Sequence, residues 1–270
     1  MVTKIILLGT GTPIPDPERF GPSLAIKYDD SVYIVDFGPG VVRRAVAAGI
    51  QPSQITKAFL THMHSDHTTG YPDLIFTPAV EGRQQLLEVY GPKGLKSMTQ
   101  HILAAYNMDI EERRKGLEPT PMDGYEVKVQ EITPGVIYSD EYVSVEAIYV
   151  KHGSWPAFGF KFITPDKEIV ISGDTAPTRG FIDFAKNCEI LIHEVYSADG
   201  LTNRQPEWIR YHSAYHTSSY ELGEIATNIN PKLLILYHQL FMGREETDLL
   251  NEVCNQYSGE VISGKDLDVF

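Results

Sequence analysis

The sequence predicts an α/β fold with mixed sheets, on three observations. Short apolar runs rich in Val, Ile, Tyr and Phe alternate with stretches of helical period, which is the strand–helix order of an α/β protein. Turn pairs such as Asp29-Asp30 and Pro165-Asp166 sit between apolar runs, so antiparallel pairs are added to parallel ones. The 270 residues contain no low-complexity segment, fixed-period repeat or flexible linker, which predicts a single domain over 1–270.

The elements follow in order. Strands are expected over 4–8, 23–28 and 32–36, the last two joined through Asp29-Asp30. A helix over 40–48 is closed by Gly49, a residue that ends helices without strain. A strand over 57–61 precedes a polar turn, and a helix is expected over 94–107. The segment 108–124 is the most charged and the most punctuated by Pro and Gly. It reads as an exposed loop, with a mobile flap over a site as the sharper alternative. Strands over 125–131, 142–150, 157–163 and 168–172 come next, the last two forming a hairpin. A helix over 178–186, a strand over 189–193, a helix over 217–229, a strand over 233–237 and a helix over 245–256 complete the chain.

Composition narrows the classes. A chain of this length can bury about 70–75% of its unfolded surface and needs no covalent staples. Two cysteines, Cys188 and Cys254, cannot build a disulfide framework, and Cys188 beside an apolar strand reads as inert packing. No uncharged apolar run approaches the roughly 20 residues of a membrane span. The apolar stretch at 4–8 is too short for a signal core and lacks a small-residue cleavage site, so a cytoplasmic location is expected. The formal charge is −13, from 23 Lys+Arg against 36 Asp+Glu. That disfavours non-specific duplex binding, which depends on neutralising phosphates.

Residues 59–70 read Phe-Leu-Thr-His-Met-His-Ser-Asp-His-Thr-Thr-Gly. His62 and His64 are two apart, a spacing that turns both imidazoles to one face of an extended chain. Asp66 and His67 follow as the chain turns. With only 9 His in the chain, this crowding is not a compositional accident. Potential metal ligands thus gather at the C-terminal end of a strand, where α/β folds place their sites. Imidazole with carboxylate suits Zn2+, and Mn2+, Fe2+ or Ni2+ would also be accepted. More ligands are needed than one turn supplies. His152, Asp174 and His238 each end a strongly apolar run. Any one of them alone would more often be a hydrogen-bonded core residue; together with the first motif they read as ligands.

These motifs resemble those of the metallo-β-lactamase-fold hydrolases, and within them the ribonuclease Z and phosphodiesterase branch. The resemblance covers nearly the whole chain: Leu-Gly-Thr-Gly-Thr-Pro (8–13), Val-Asp-Phe-Gly-Pro-Gly (35–40), Val-Tyr-Gly-Pro-Lys-Gly-Leu (89–95), Ser172-Gly173-Asp174-Thr175, Ile192-His193-Glu194 and His216-Thr217-Ser218 fall in the family's order. It implies a four-layer αβ/βα sandwich. It implies that His62, His64 and His152 bind one zinc, that Asp66, His67 and His238 bind a second, and that Asp174 bridges them. Two such metals would share a hydroxide as nucleophile. Asp66 would also hold or deprotonate the attacking water. His216, paired with Glu194, would assist the leaving oxygen as a catalytic acid. The bland alternative makes His216 a helix-start residue and Glu194 a support for a ligand. His193 reads as core or outer support, while His212 and His101 receive no role.

The implied activity is hydrolysis of a phosphodiester or similar anionic ester, on a small-molecule or nucleotide substrate. Arylsulfatase or lactonase action, tRNA 3′-processing and a non-catalytic metal-binding scaffold are the alternatives. Structured tRNA is disfavoured, because 160–169 runs straight between motifs where many ribonuclease Z enzymes carry a tRNA-gripping arm. His-Glu-Val-Tyr also departs from the branch's usual His-Glu-Ala-Thr. A homodimer is a common form in this branch. Other motifs are weak. Gly9 and Gly11 lack a third glycine for a dinucleotide loop, since position 14 is Ile, and no Gly-x-Ser-x-Gly elbow occurs. Tyr71, Phe76, Trp155 and Phe158 read as core and rim, with a stacking wall as the alternative.

Overall fold

A computed structural model describes residues 2–117 and 122–270. The chain forms two compact units, Met1–Ile132 with Lys265–Phe270, and Thr133–Gly264.

In the first unit β1 (Lys4–Gly9), β2 (Ser23–Tyr28) and β3 (Ser31–Val35) pair antiparallel, and β4 (Ile55–Phe59), β5 (Leu87–Gly91) and β6 (Val127–Glu131) extend the six-stranded sheet in parallel. The split follows from the connections. A two-residue turn with Asp29 at φ 53 returns β2 onto β3, whereas each parallel pair needs a crossover. The crossovers carry α1 (Val41–Ala47), then α2 (Ser65–Thr68) with α3 (Tyr71–Val80), then α4 (Leu95–Ala105) with α5 (Asn107–Lys115). Ile6, Leu8 and Ile34 of the sheet pack on Val41, Leu74 and Leu95 of these helices. The last residues return to β1, where Ile5 and Phe270 exchange both backbone hydrogen bonds.

The second unit repeats the plan. Strands β7 (Gly135–Ser139), β8 (Ser144–Val150), β9 (Ala157–Ile163) and β10 (Glu168–Ile171) form an antiparallel meander, and β11 (Ile190–Tyr196), β12 (Leu233–Leu240) and β13 (Val261–Ser263) continue it in parallel as a seven-stranded sheet. Its crossovers are α6 (Arg179–Ala185), then α7 (Ala198–Leu201), α8 (Pro206–Tyr215) and α9 (Ser219–Ile229), then α10 (Glu246–Cys254). α9 opens with a reciprocal capping box between Ser218 and Glu221. Leu191, Leu234 and Leu236 pack on Leu222, Ile225 and Leu249.

The expected mixed α/β architecture is what the chain adopts. Two features correct the sequence reading, and a third decides between its alternatives in favour of the core. The segment expected as an exposed loop over 108–124 is helical through Lys115, with Ile110 buried; its flap alternative falls partly on 118–121, outside the described residues. Strands β5, β7 and β13 and helices α3 and α8 were not anticipated. Tyr71 and Phe158 are fully buried and Phe76 nearly so, so these belong to the core and not to a stacking wall; Trp155 stays 43% exposed. Among the described residues, no helix is long and apolar enough to cross a membrane.

Candidate metal centre

In the first unit the ligand turn leaves β4 through Leu60 and Thr61. Asp36, just past β3 in the left-handed region at φ 57, organises it. Its carboxylate accepts from the Thr61 N–H at 2.8 Å and from the Thr61 hydroxyl, and it lies 2.8 Å from His67 Nδ1. Anchoring Nδ1 turns the His67 Nε2 edge toward Asp66, whose Oδ2 is 3.6 Å away. Thr61 Oγ1 sits 3.0 Å from His62 Nδ1, and the opposite nitrogen, Nε2, faces His64 Nδ1 at 2.9 Å. His62, Asp66 and His67 are buried and His64 is partly so. Asp36 had no role in the sequence reading, although an Asp ending an apolar strand before a Gly-rich turn is the same signal that marked Asp174.

In the second unit the ligand candidates again leave the C-terminal ends of strands. Asp174 follows β10 after Gly173, which takes φ 59. His238 lies inside β12, longer than expected, and occupies a bulge. Glu194 pairs with Tyr237 and Val195 with Gln239, so His238 has no partner in the register and takes φ 44. A bulge of this kind re-aims one side chain out of the sheet's alternation. His152 follows β8, and its Nδ1 is fixed by the Tyr215 carbonyl at 2.8 Å. Its Nε2 is 3.8 Å from Asp174 Oδ2, and His238 Nε2 is 3.7 Å from the same oxygen.

Beside this group lies a second pair. His216 Nδ1 is 3.1 Å from both carboxylate oxygens of Glu194. Glu194 is buried within β11, and its Oε1 accepts from the Thr175 N–H at 2.8 Å. Burial, reinforced by the Asp174 carboxylate, holds the Glu194 carboxyl well above the usual carboxylate range. The His216 imidazole, at 3.1 Å from both oxygens, is placed to share a proton with this carboxyl. Nδ1 is committed to Glu194, so Nε2 is the ring nitrogen on the side away from that carboxylate. The His216 ring stacks at 6.2 Å on His238 and stands edge-on to His152 at 4.9 Å.

His193 is core, one of the two places the sequence reading gave it. It is fully buried, edge-on to Phe181 at 5.4 Å, and burial pulls its imidazole down to about 4. His101 is an exposed residue of α4.

The donor chemistry fits a divalent cation. Hydrogen bonds between nitrogen and oxygen require about 3.2 Å or less. At 3.7 and 3.8 Å, Asp174 Oδ2 is too far to bond either imidazole and near enough to share an ion with each. The outer nitrogens of His62, His67 and His152 are each held by Thr61, Asp36 or a carbonyl, which sets ring orientation as metal-binding histidines require.

Comparison with known proteins accords with this chemistry. The family model described as anti-Pycsar protein Apyc1 matches residues 3–240. A ribonuclease Z of Mycolicibacterium gilvum is 32% identical over 98% of this chain and 94% of that protein. Among solved structures, the metallo-β-lactamase fold protein YhfI of Bacillus subtilis aligns over all of both chains with a TM-score of 0.77 and 21% identity. The short form of human tRNase Z aligns over 99% of this chain and 98% of its own with a TM-score of 0.74, also at 21% identity.

Proposed function

Because the chain belongs to the anti-Pycsar protein Apyc1 family, among the ribonuclease Z-related metal-dependent hydrolases of the metallo-β-lactamase fold, we propose that it hydrolyses a phosphodiester in a small nucleotide-like substrate at a dinuclear zinc centre. The observation that carries the reading is the convergence of His152 and His238 on one oxygen of Asp174, with the buried His216–Glu194 pair beside them. A carboxylate between two imidazoles suits a bridge, and an acid–base pair beside it suits a reaction with a poor leaving group.

His62, His64 and His152 would hold one ion, and Asp66, His67 and His238 the other, with Asp174 shared. Such ions, when bound, activate water at neutral pH and offset the charge of an in-line displacement at phosphorus. Asp66 would orient the attacking water and accept its proton. His216 would give the Nε2 proton to the leaving oxygen while Nδ1 stays on Glu194, whose carboxylate stabilises the charged imidazole before transfer. The tight turn from Ile163 to Glu168 between β9 and β10, together with the net charge of −13, favours a compact substrate over a folded RNA.

The test is turnover on metal-quantified protein. Bis(p-nitrophenyl) phosphate is compared with a phosphonate ester, a sulfate ester, a lactone, a β-lactam and precursor tRNA. The expected result is about two metal ions per chain, fastest turnover on the phosphodiester, loss on chelation and recovery with zinc or manganese. Two bound ions with no turnover of any ester would reject the reading in favour of a non-catalytic metal protein. Preference for the sulfate ester or lactone would move the substrate class.

A further inference from the structure

Helix α8 carries an aromatic stripe that the chemistry above does not use. Trp208, Tyr211, His212 and Tyr215 recur at i, i+3, i+4 and i+7, the spacing that sets side chains on one side of a helix. Such a stripe ordinarily faces a core. Here no residue of α8 is buried, and Trp208 is 54% exposed. The helix is held instead through Ile209, which packs with Met242 against Tyr196, Leu201 and Leu240. The rings are ordered on one another. Tyr211 and Tyr215 stack at 4.9 Å with 25° between their planes, and Trp208 lies 5.8 Å from His212.

The stripe ends at the proposed reaction centre. His216 follows α8 directly and donates its N–H to the His212 carbonyl. The Tyr211 ring is 5.9 Å from His216, and the Tyr215 ring is 5.8 Å from His152. Gly153 takes φ +76 against this helix, and a Cβ there would meet the Tyr215 ring at 2.5 Å. The loop that carries His152 is therefore cut to admit the stripe.

We propose that this stripe, centred on Tyr211, is the platform on which the nucleobase of the substrate stacks. The proposal rests on the phosphodiesterase reading. A nucleotide ester whose phosphorus lies beside His216 has its base one sugar away, and the phenol ring of α8 nearest to His216 is Tyr211, at 5.9 Å. Stacking uses the π-face that every base has, so the platform selects nucleotides as a class without reading which base is present. It is held by a helix whose rings already pack on each other, so little side-chain freedom is lost on binding.

The experiment measures selectivity. Thymidine 5′-(p-nitrophenyl phosphate) and methyl p-nitrophenyl phosphate share the reacting P–O bond and the leaving group and differ in the nucleoside that carries the base. The ratio of their kcat/KM values should fall about 10-fold or more in Tyr211→Ala, through KM of the base-bearing ester, and return in Tyr211→Phe. An unchanged ratio, or a Phe variant as impaired as Ala, would overturn the platform. A binding arm uses adenosine 5′-monophosphate with ribose 5-phosphate as the baseless control, read by tryptophan fluorescence on the metal-loaded protein. Tyr211→Ala should weaken only the former. If the unaltered protein hydrolysed neither ester, the function reading would fail, and this arm would still decide the platform. Sedimentation of both proteins closes the test: loss of a dimer in Tyr211→Ala would assign the stripe to a second copy of the chain and overturn the proposal.

Discussion

His216 shows how much one side chain's surroundings decide. Its Nδ1 contacts both oxygens of a carboxylate that burial disfavours as an anion. It is not among the seven side chains proposed to hold the ions. Replacing His216 with Ala should therefore leave metal content unchanged and slow turnover of a phosphodiester with an alkoxide leaving group by roughly 10²–10⁴-fold, the range of a lost general acid. Metal analysis beside steady-state kinetics checks this, and metal loss in the variant would show that the residue is a ligand. Cys188 is a second residue governed by burial. Burial first, then the Glu168 charge, pushes its thiol up to about 12, whereas Cys254 is exposed. The thiolate is the reactive form. Native protein at pH 8 should thus release about one equivalent of thionitrobenzoate from Ellman's reagent, and about two in denaturant. Two fast equivalents from native protein would contradict the packing of Cys188.

Helix α3 was hidden by its prolines, and its survival depends on a distant side chain. Pro72 sits in the first turn, where no N–H is needed. Pro78 lies inside the helix and cannot donate to the Leu74 carbonyl. Arg83 supplies that bond: it is fully buried and donates to the carbonyls of Leu74, Ile75, Ile55 and Gly124. Arg83→Met should destabilise the protein by about 3 kcal/mol or more, because several buried acceptors lose their donor. Arg83→Lys should recover only part, since an ammonium cannot span the same fork. Denaturant titration measures both, and a Met variant within 1 kcal/mol of the parent would refute the staple. The same physics explains what could be read from the sequence. Apolar runs with clear bounds, such as 23–28 and 157–163, matched their strands residue for residue. α5 was misread because a charged run suggests a loop, yet its charges pair at i,i+4, Asp109 with Arg113 and Glu111 with Lys115. α8 was missed because its periodic residues are aromatic rings that stay unburied, not the aliphatic stripe of a core-facing helix. The metal motif was legible because its ligand types crowd one turn. The role of Asp36 was not, although its place at a strand end was, because its partners Thr61 and His67 are brought to it only by the pairing of β3 with β4.

At the scale of the whole molecule, the question is which substrates the charge distribution admits. Curated relatives carry the name ribonuclease Z, and a folded tRNA must be gripped far from its reacting phosphate. Such a grip needs several cationic contacts to the backbone. Binding through 6–10 phosphates weakens by roughly 10³–10⁵ between 50 and 200 mM salt. This chain carries 36 acidic against 23 basic side chains, and β9 turns into β10 within Thr164–Lys167, where a gripping arm would have to insert. A compact diester needs neither the arm nor the cationic track. The expected outcome is that kcat/KM for bis(p-nitrophenyl) phosphate changes less than about 10-fold over that salt range, and that precursor tRNA is neither retained nor cleaved at its 3′ end at about 150 mM salt. Filter binding and gel analysis of end-labelled tRNA on the metal-loaded enzyme supply the measurement. Cleavage at the 3′ boundary with a steep salt slope would mean that a cationic track exists despite the acidic balance, and the substrate would then be RNA.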